Sequence, residues 1–356
     1  MPYEMSPRER VLTAMRRQVP DRIPKELDLT PALVEEFKRR APGQTVEGYF
    51  RLEMRGAGIG PSTVKHDYSG YFTDVHVDWT DDWGVGYLDA HFHHFWRFIH
   101  PLRNAQTVKD IMDYPFPDLT AEYRWEGFAE RVKAWQDRGH PVGVGPAAQL
   151  FEEAWYLRGQ EQLLIDFYDN PELADALLER IFEIQMTAAR RGAEAGADIL
   201  HTGDDVGWQQ GMMMSPAAFR RFLKPRYAKM FAMVKAIKPD MLTYFHSDGS
   251  IEAIIPDLIE IGLDILNPVQ PECMDPAEIK RKYGDKLAFW GTIGTQSTMP
   301  WGTVEEVRRV VKERIETVGP EGLLLSPTHV LEPEVPWENI EAFVEAVEEF
   351  GRVGGK

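Results

Sequence analysis

The sequence predicts an α/β protein: a distorted (β/α)8 TIM barrel whose N-terminal region carries an insertion capping one mouth. Three observations carry this expectation. From about residue 140, short apolar runs alternate with amphipathic helical stretches. The runs are nearly continuous in apolar residues, as strands buried on both faces of a parallel sheet must be. No Gly-x-Gly-x-x-Gly fingerprint follows any of them, which counts against a doubly wound dinucleotide-binding sheet.

The elements follow in order. "RIPKELDL" (22–29) reads as the first strand. Residues 45–135 then break the rhythm with aromatics, Gly, Asp and His, and the alternation in "TDVHVDW" (73–79) predicts a hairpin or small sheet. This stretch reads as a cap inserted within one barrel domain, 1–356, and as the place where an irregular strand hides. The regular strands are "HPVGVGP" (140–146), "ADILHTGDD" (197–205), "MLTYFHSDG" (241–249), "LDILNPVQP" (263–271), "KLAFWGTIG" (286–294) and "GLLLSPTH" (322–329). Helix starts lie between them. Asp275 with Pro276 and Glu278, and Thr303 with Glu306, have capping-box spacing. Ser215 and Asn170 each precede a proline, as N-caps do.

Bulk composition narrows the function classes. The chain has 356 residues, 43% hydrophobic and 27% charged, with a formal net charge of -17. That charge argues against a nucleic-acid partner, which would want a basic face. The single cysteine, Cys273, excludes an internal disulfide and any multi-cysteine metal site. No run approaches the ~18 apolar residues of a membrane span. The opening "MPYEMSPRERVLTAMRRQVPDR" is charged and lacks an apolar signal core, so a cytoplasmic protein without membrane association is expected.

In a (β/α)8 barrel the working residues gather at the C-terminal strand ends. The predicted ends deliver His201, Asp204 and Asp205; His246 and Asp248; Asn267 and Gln270; Thr292; and His329, with Glu26 and Asp28 from the first strand. His246 and Asp248 stand two residues apart and share one side of an extended segment. With His329 from another strand they form a His, carboxylate, His set that suits a catalytic Zn²⁺. The same residues suit a metal-free pair in which Asp248 orients His246 for proton transfer. "GMMMS" (211–215) offers Met213 as a soft wall for a ligand or as core packing. "HFHH" (91–94) has metal-ligand types, but alternation places them on opposite faces. Cys273 lies near a strand end and reads as a small buried residue, with a distal ligand as the alternative.

The order "GDDVG…SPAAFRRFLKPRY", "FHSDGSI", "LNPVQP", "FWGTIG" and "SPTH…EPEVPWENIEAFVEA" resembles the uroporphyrinogen decarboxylase superfamily, as does the opening "RERVLTAMRRQVPDRIP". The resemblance spans nearly the whole chain and implies the barrel independently. True decarboxylases of that family carry an arginine-rich "MRQAGRY" segment after the first strand, which holds the substrate propionates. Here the place reads "KELDLTPALVEEF" and has no arginine. The sequence is more similar to the cobamide-dependent methyltransferase and demethylase branch. Members acting on coenzyme M bind zinc through His-x-Cys and a later Cys. His246 matches the first ligand, Asp248 stands where the first Cys would be, and His329 stands near the later one.

The resemblance therefore implies a corrinoid-dependent methyltransferase acting on a methyl ether or methylamine. Zinc on His246, Asp248 and His329 would activate the heteroatom, and a separate corrinoid (cobalamin) protein would dock over the mouth. Asp204, Asp205 and His246 are the expected catalytic residues. Asn267, Gln270, Asp28 and Met213 are the expected substrate-binding residues. The alternatives are a decarboxylase of a tetrapyrrole or other acid, with Arg22 and Arg158 as mouth cations, and a non-catalytic ligand-binding barrel.

Overall fold

The computed structural model describes residues 4–92, 95–145 and 149–353. Its strands are, in chain order, β1 (Arg55–Gly56), β2 (Trp79–Thr80), β3 (Gly86–Phe92), β4 (Phe95–Ile99), β5 (Val142–Val144), β6 (Ile199–Gly203), β7 (Gly207–Trp208), β8 (Gly211–Met212), β9 (Leu242–His246), β10 (Ile265–Asn267), β11 (Ala288–Ile293) and β12 (Leu323–Pro327). Seven of them form one parallel sheet in the order β1-β5-β6-β9-β10-β11-β12. Every residue of β5, β10, β11 and β12 is buried, which is why these stretches read as unbroken apolar runs.

Segment 22–29 supplies the eighth stave. It bridges β12 in parallel through Lys25–Leu325, with Glu26 N–H donating to the Leu325 carbonyl at 3.0 Å. On its other side side chains replace the ladder: Lys25 N–H donates to Glu53 Oε2 (3.0 Å), and Met54 N–H donates to Glu26 Oε1 (2.5 Å). This seam makes the barrel distorted. Strand β1, only two residues long, is the irregular strand hidden within 45–135; it pairs with β5 through Arg55–Val142.

The expected hairpin lies a few residues downstream of "TDVHVDW". Strands β2, β3 and β4 form a three-stranded antiparallel sheet, and residues 73–78 are turn and irregular chain. Trp79 stacks on Tyr87 at 4.0 Å across the β2–β3 pair, an aromatic cross-strand contact that sets this register in place of the sequence alternation. His93 and His94 of "HFHH" lie outside the described residues. Among the helices, Ser215 caps Ala218 N–H, and Thr303 closes a reciprocal box with Glu306. Asp275 caps Ala277 and Glu278 without reciprocity, because the Glu278 carboxylate pairs with Lys282 instead. Asn170 makes no side-chain cap.

The N-terminal helix, Pro7–Met15, determines which mouth is open. Its apolar face (Val11, Leu12, Ala14, Met15) packs with Ile199, Leu242, Ile265, Ala288 and Leu324, at or near the starts of their strands. Each buried Val, Leu, Ile or Met side chain among them contributes roughly 1.5–3 kcal/mol by leaving water. The helix thus plugs the N-terminal end, and the site is left to the C-terminal end. No helix among the described residues is long and apolar enough to cross a membrane.

Candidate metal centre and the adjoining cavity

His246 ends β9, Asp248 lies two residues beyond, and Asp205 lies two residues beyond β6. One ligand atom from each falls within 4.8 Å of the other two. Glycine makes this approach possible. A Cβ on Gly203 would meet the His246 carbonyl oxygen at 2.5 Å, and Gly249, at φ 80°, turns the chain where a side chain would strike the Gly207 backbone. Asp248 N–H donates to Asp205 Oδ1 at 2.8 Å, tying the two loops together.

The tautomer of the neutral His246 ring follows from its neighbours. Asn267 Nδ2 donates to the Trp290 carbonyl at 2.8 Å, which turns Asn267 Oδ1 toward His246 Nδ1 at 2.5 Å. Nδ1 therefore carries the proton, an assignment made from the network. In the neutral ring Nε2 is left with a lone pair, 3.5 Å from Asp205 Oδ1. Asp248 Oδ1 is buried with no hydrogen-bond partner. Burial pushes the Asp248 carboxyl up, opposed by His246 and reinforced by Asp205. Three side-chain acceptors thus face one another, and the Asp248 N–H that Asp205 Oδ1 accepts is the one donor among them, leaving His246 Nε2 and Asp248 Oδ1 unsatisfied. A cation is the economical way to satisfy them.

A cavity of about 910 Å³ opens beside this cluster, with His246 in its wall. Its lining also includes Glu26, Asp28, Glu47, Arg55, His201, Tyr244, Asn267, Trp290 and His329. His201 stacks on Tyr244 with ring centroids 4.6 Å apart, and burial pushes its imidazole down to about 4. Desolvation raises the Glu26 carboxyl far above its ordinary value, and raises Asp28 with help from Glu47.

Several expectations are revised. His329 is exposed on the loop after β12, its Nδ1 near its own Val330 carbonyl, and it does not join the 4.8 Å set; Asp205 takes the third place. The reason is topological: β6 is the immediate neighbour of β9, whereas β12 is three strands away. Asp204 does not face the cluster. It is fully buried, accepts Phe151 N–H (2.8 Å), Glu152 N–H (3.0 Å) and the Tyr227 hydroxyl (2.5 Å), and thereby pins the helix Phe151–Arg158. Burial pushes its carboxyl up to about 7 despite those bonds. Gln270 uses Oε1 to accept Gly249 N–H (3.1 Å), which makes it a positioning residue for the His246–Asp248 loop. Met213 accepts a hydrogen bond from Gln160 at its sulfur and is not in the cavity wall. Asn267 lines the cavity, yet its amide is committed to His246 and Trp290. Cys273 is half-buried, and burial with the nearby Glu272 and Asp248 charges pushes its thiol up, away from thiolate character.

Sequence reading missed Glu152, Glu153 and Glu47. Glu152 is buried, its carboxyl pushed up to about 8 by desolvation and then by the Asp205 and Asp204 charges. Two adjacent acids on the first turn of the helix after β5 were the available signal.

With this geometry in view, the comparisons with known proteins are specific. The uroporphyrinogen decarboxylase (URO-D) family matches residues 100–350. A methylcobamide:CoM methyltransferase, MtaA, from Methanosarcina barkeri is 31% identical over 180 residues, 50% of each chain. A uroporphyrinogen decarboxylase from Thermus thermophilus is 28% identical over 185 residues, 51% of this chain and 50% of that one. The matched region thus spans about half the length of these curated relatives. A solved methyltransferase from Methanosarcina mazei shares the fold, with a TM-score of 0.68 at 20% identity, covering 98% of this chain and 99% of that one.

Proposed function

Because the chain belongs to the uroporphyrinogen decarboxylase family, we propose that it is a corrinoid-dependent methyltransferase. It moves a methyl group between a small donor, a methyl ether or methylamine, and a cobamide carried by a separate protein. The observation that carries this reading is the set of three acceptors at the barrel mouth, Asp205, His246 and Asp248, beside a ligand-sized cavity.

The residues fit a divalent metal. The orphaned Asp248 Oδ1 and the lone pair on His246 Nε2 are what a cation would satisfy. One nitrogen and two carboxylate oxygens are borderline-to-hard donors, which Zn²⁺ accepts. When bound, zinc supplies Lewis acidity toward the heteroatom that carries the methyl group, making it a better leaving group. The chain's own residues prepare that site. Asn267 holds the His246 ring and its tautomer. Gln270 and Ser247 hold the loop, Ser247 Oγ accepting Val206 N–H at 3.1 Å. Glu152 is buried outside the cavity wall, where desolvation and then the Asp205 and Asp204 charges push its carboxyl up to about 8.

The decarboxylase reading lacks its cations. Arg22 sits 3.1 Å from Glu53 at the barrel seam, and Arg158 is buried against Asp166 (2.7 Å) and the Leu102 carbonyl; neither lines the cavity. The name of the Methanosarcina barkeri relative is consistent with a cobamide partner. The test is the absorbance of cob(I)alamin mixed with the purified chain and a panel of methyl ethers and methylamines. Conversion to methylcobalamin with one donor class, slowed by about 100-fold or more in His246→Ala, is the expected result. No conversion with any donor, together with carbon dioxide release from a carboxylic acid, would overturn the reading.

A further inference from the structure

We infer that the methyl donor carries a neutral hydroxyl group on a ring-sized body, and that the barrel interior beneath His246 binds that hydroxyl. This rests on the methyl-transfer reading for the end of the donor at His246 and adds what the other end is.

Strand alternation builds the floor of the cavity. Ile199, Leu242, Ile265, Ala288 and Leu324 pack with the helix Pro7–Met15 inside the barrel. Two positions further along the same strands stand His201, Tyr244, Asn267, Trp290 and Ser326, on the same side of each strand, and all five line the cavity. Barrel interiors are ordinarily filled by bulky Val, Ile and Leu. Here every one of these five positions carries a polar atom. Gly143, also in the lining, leaves room for the His201 ring, which a Cβ would meet at 2.8 Å.

The fold leaves most of those polar atoms unused. Among the described residues, the Tyr244 hydroxyl, the Trp290 indole N–H and the Ser326 hydroxyl make no hydrogen bond, although Trp290 is 7% and Ser326 5% exposed. His201 Nε2 is buried without a partner, and in either tautomer its neutral ring has one donor and one acceptor nitrogen. Asn267 alone is committed, to His246 and the Trp290 carbonyl. Unpaired polar groups this deep are costly, and a ligand that pairs with them removes that cost.

Charge and reach define the ligand. Burial pushes the His201 imidazole down to about 4, so the floor carries no charge near pH 7. Glu26 accepts the Met54 N–H, and desolvation favours its neutral form. Charges in the lining come from Asp28, Glu47 and Arg55, on segment 22–29, the short helix Val46–Tyr49 and β1, outside these five positions. An ammonium would face the indole N–H, which can only donate, and a carboxylate would be buried with no cation on the floor. A hydroxyl both donates and accepts, so it pairs with any of these groups. Tyr244 and His246 are two residues apart on β9, ~6.6 Å along the strand. A six-membered ring with oxygens at opposite positions spans a step of that order, and a cavity of about 910 Å³ has room for it.

Four probes share one ring: trans-4-methoxycyclohexanol, methoxycyclohexane, trans-4-methoxycyclohexanecarboxylate and trans-4-methoxycyclohexylammonium. Calorimetric titration of the full chain is expected to show the alcohol binding about tenfold more tightly than each of the others. In the Tyr244→Phe, Ser326→Ala double variant its advantage over methoxycyclohexane should vanish, with circular dichroism unchanged. Tyr244→Phe alone, which removes one oxygen and keeps the ring, should lose about threefold of it, and decides the matter if the double variant does not fold. No binding of the alcohol, equal binding of alcohol and methoxycyclohexane, preference for either charged probe, or an advantage untouched by the variants would overturn the inference. The two proposals fail separately. Methyl transfer to cob(I)alamin from methoxycyclohexane as readily as from the alcohol, without a binding preference, removes this inference and keeps the methyltransferase. A hydroxyl preference with no transfer from any donor does the reverse.

Discussion

Asn267 decides which nitrogen of His246 can take a ligand. Its amide is oriented by the Trp290 carbonyl, and that orientation passes the proton to His246 Nδ1. Loss of such an outer partner typically weakens metal affinity 10–100-fold without touching the ligands themselves. Asn267→Ala should therefore lower zinc affinity by about that factor, measured by competition with a chelating dye, while the fold persists. Asn267→Asp should retain more affinity, because a carboxylate still accepts from Nδ1–H. Equal affinity in wild type and Asn267→Ala would remove the tautomer argument. At this scale the sequence was informative about residue type and less so about partnership. His246 and Asp248 were legible because a two-residue spacing after a buried strand places both on one side. Asp205 was visible only as half of an acidic pair. Which of Asp204 and Asp205 turns inward depends on Phe151, Glu152 and Tyr227, which are 23 to 53 residues away.

At the scale of elements, the barrel closes by side chains where its backbone ladder fails. Glu53 is 1% exposed, lies 3.1 Å from Arg22 and 3.6 Å from Arg10, and accepts Lys25 N–H. Removing one partner of a buried ion pair costs about 3–5 kcal/mol, because the remaining charges are stranded. Glu53→Gln should lower the unfolding free energy by an amount in that range in urea titrations, with the Asp205–His246–Asp248 cluster intact in the folded fraction. A change under about 1 kcal/mol would mean that the seam is closed by something else. The strands from β5 to β12 were legible because burial on both faces writes a continuous apolar run. Strand β1 was not. Two residues carry no period, and the stave is defined by Glu53 and Glu26 reaching across to backbone amides. The small sheet was misplaced for a related reason: its pairing follows the stacked Trp79 and Tyr87, and alternation in 73–79 was a weaker signal than that contact.

At the scale of the whole molecule, a plugged N-terminal end and an acidic, aromatic cavity at the other end define one working face. The net charge of -17 and the carboxylates of the cavity wall both disfavour polyanionic substrates, in keeping with the absence of arginine from "KELDLTPALVEEF". The family was legible in the sequence from five motifs spread along the chain. Which side chains cluster was not, because a motif names positions at strand ends, and only the neighbour relation of β6 and β9 says which of them meet. The account's central claim is that Asp205, His246 and Asp248 together hold one divalent metal. Zinc content per chain, measured in protein purified without chelators, tests it most directly. The prediction is about one zinc in wild type, nearly none in His246→Ala and Asp205→Asn, and wild-type content in His329→Ala. A wild-type chain without zinc, or zinc lost in His329→Ala but kept in Asp205→Asn, would contradict it.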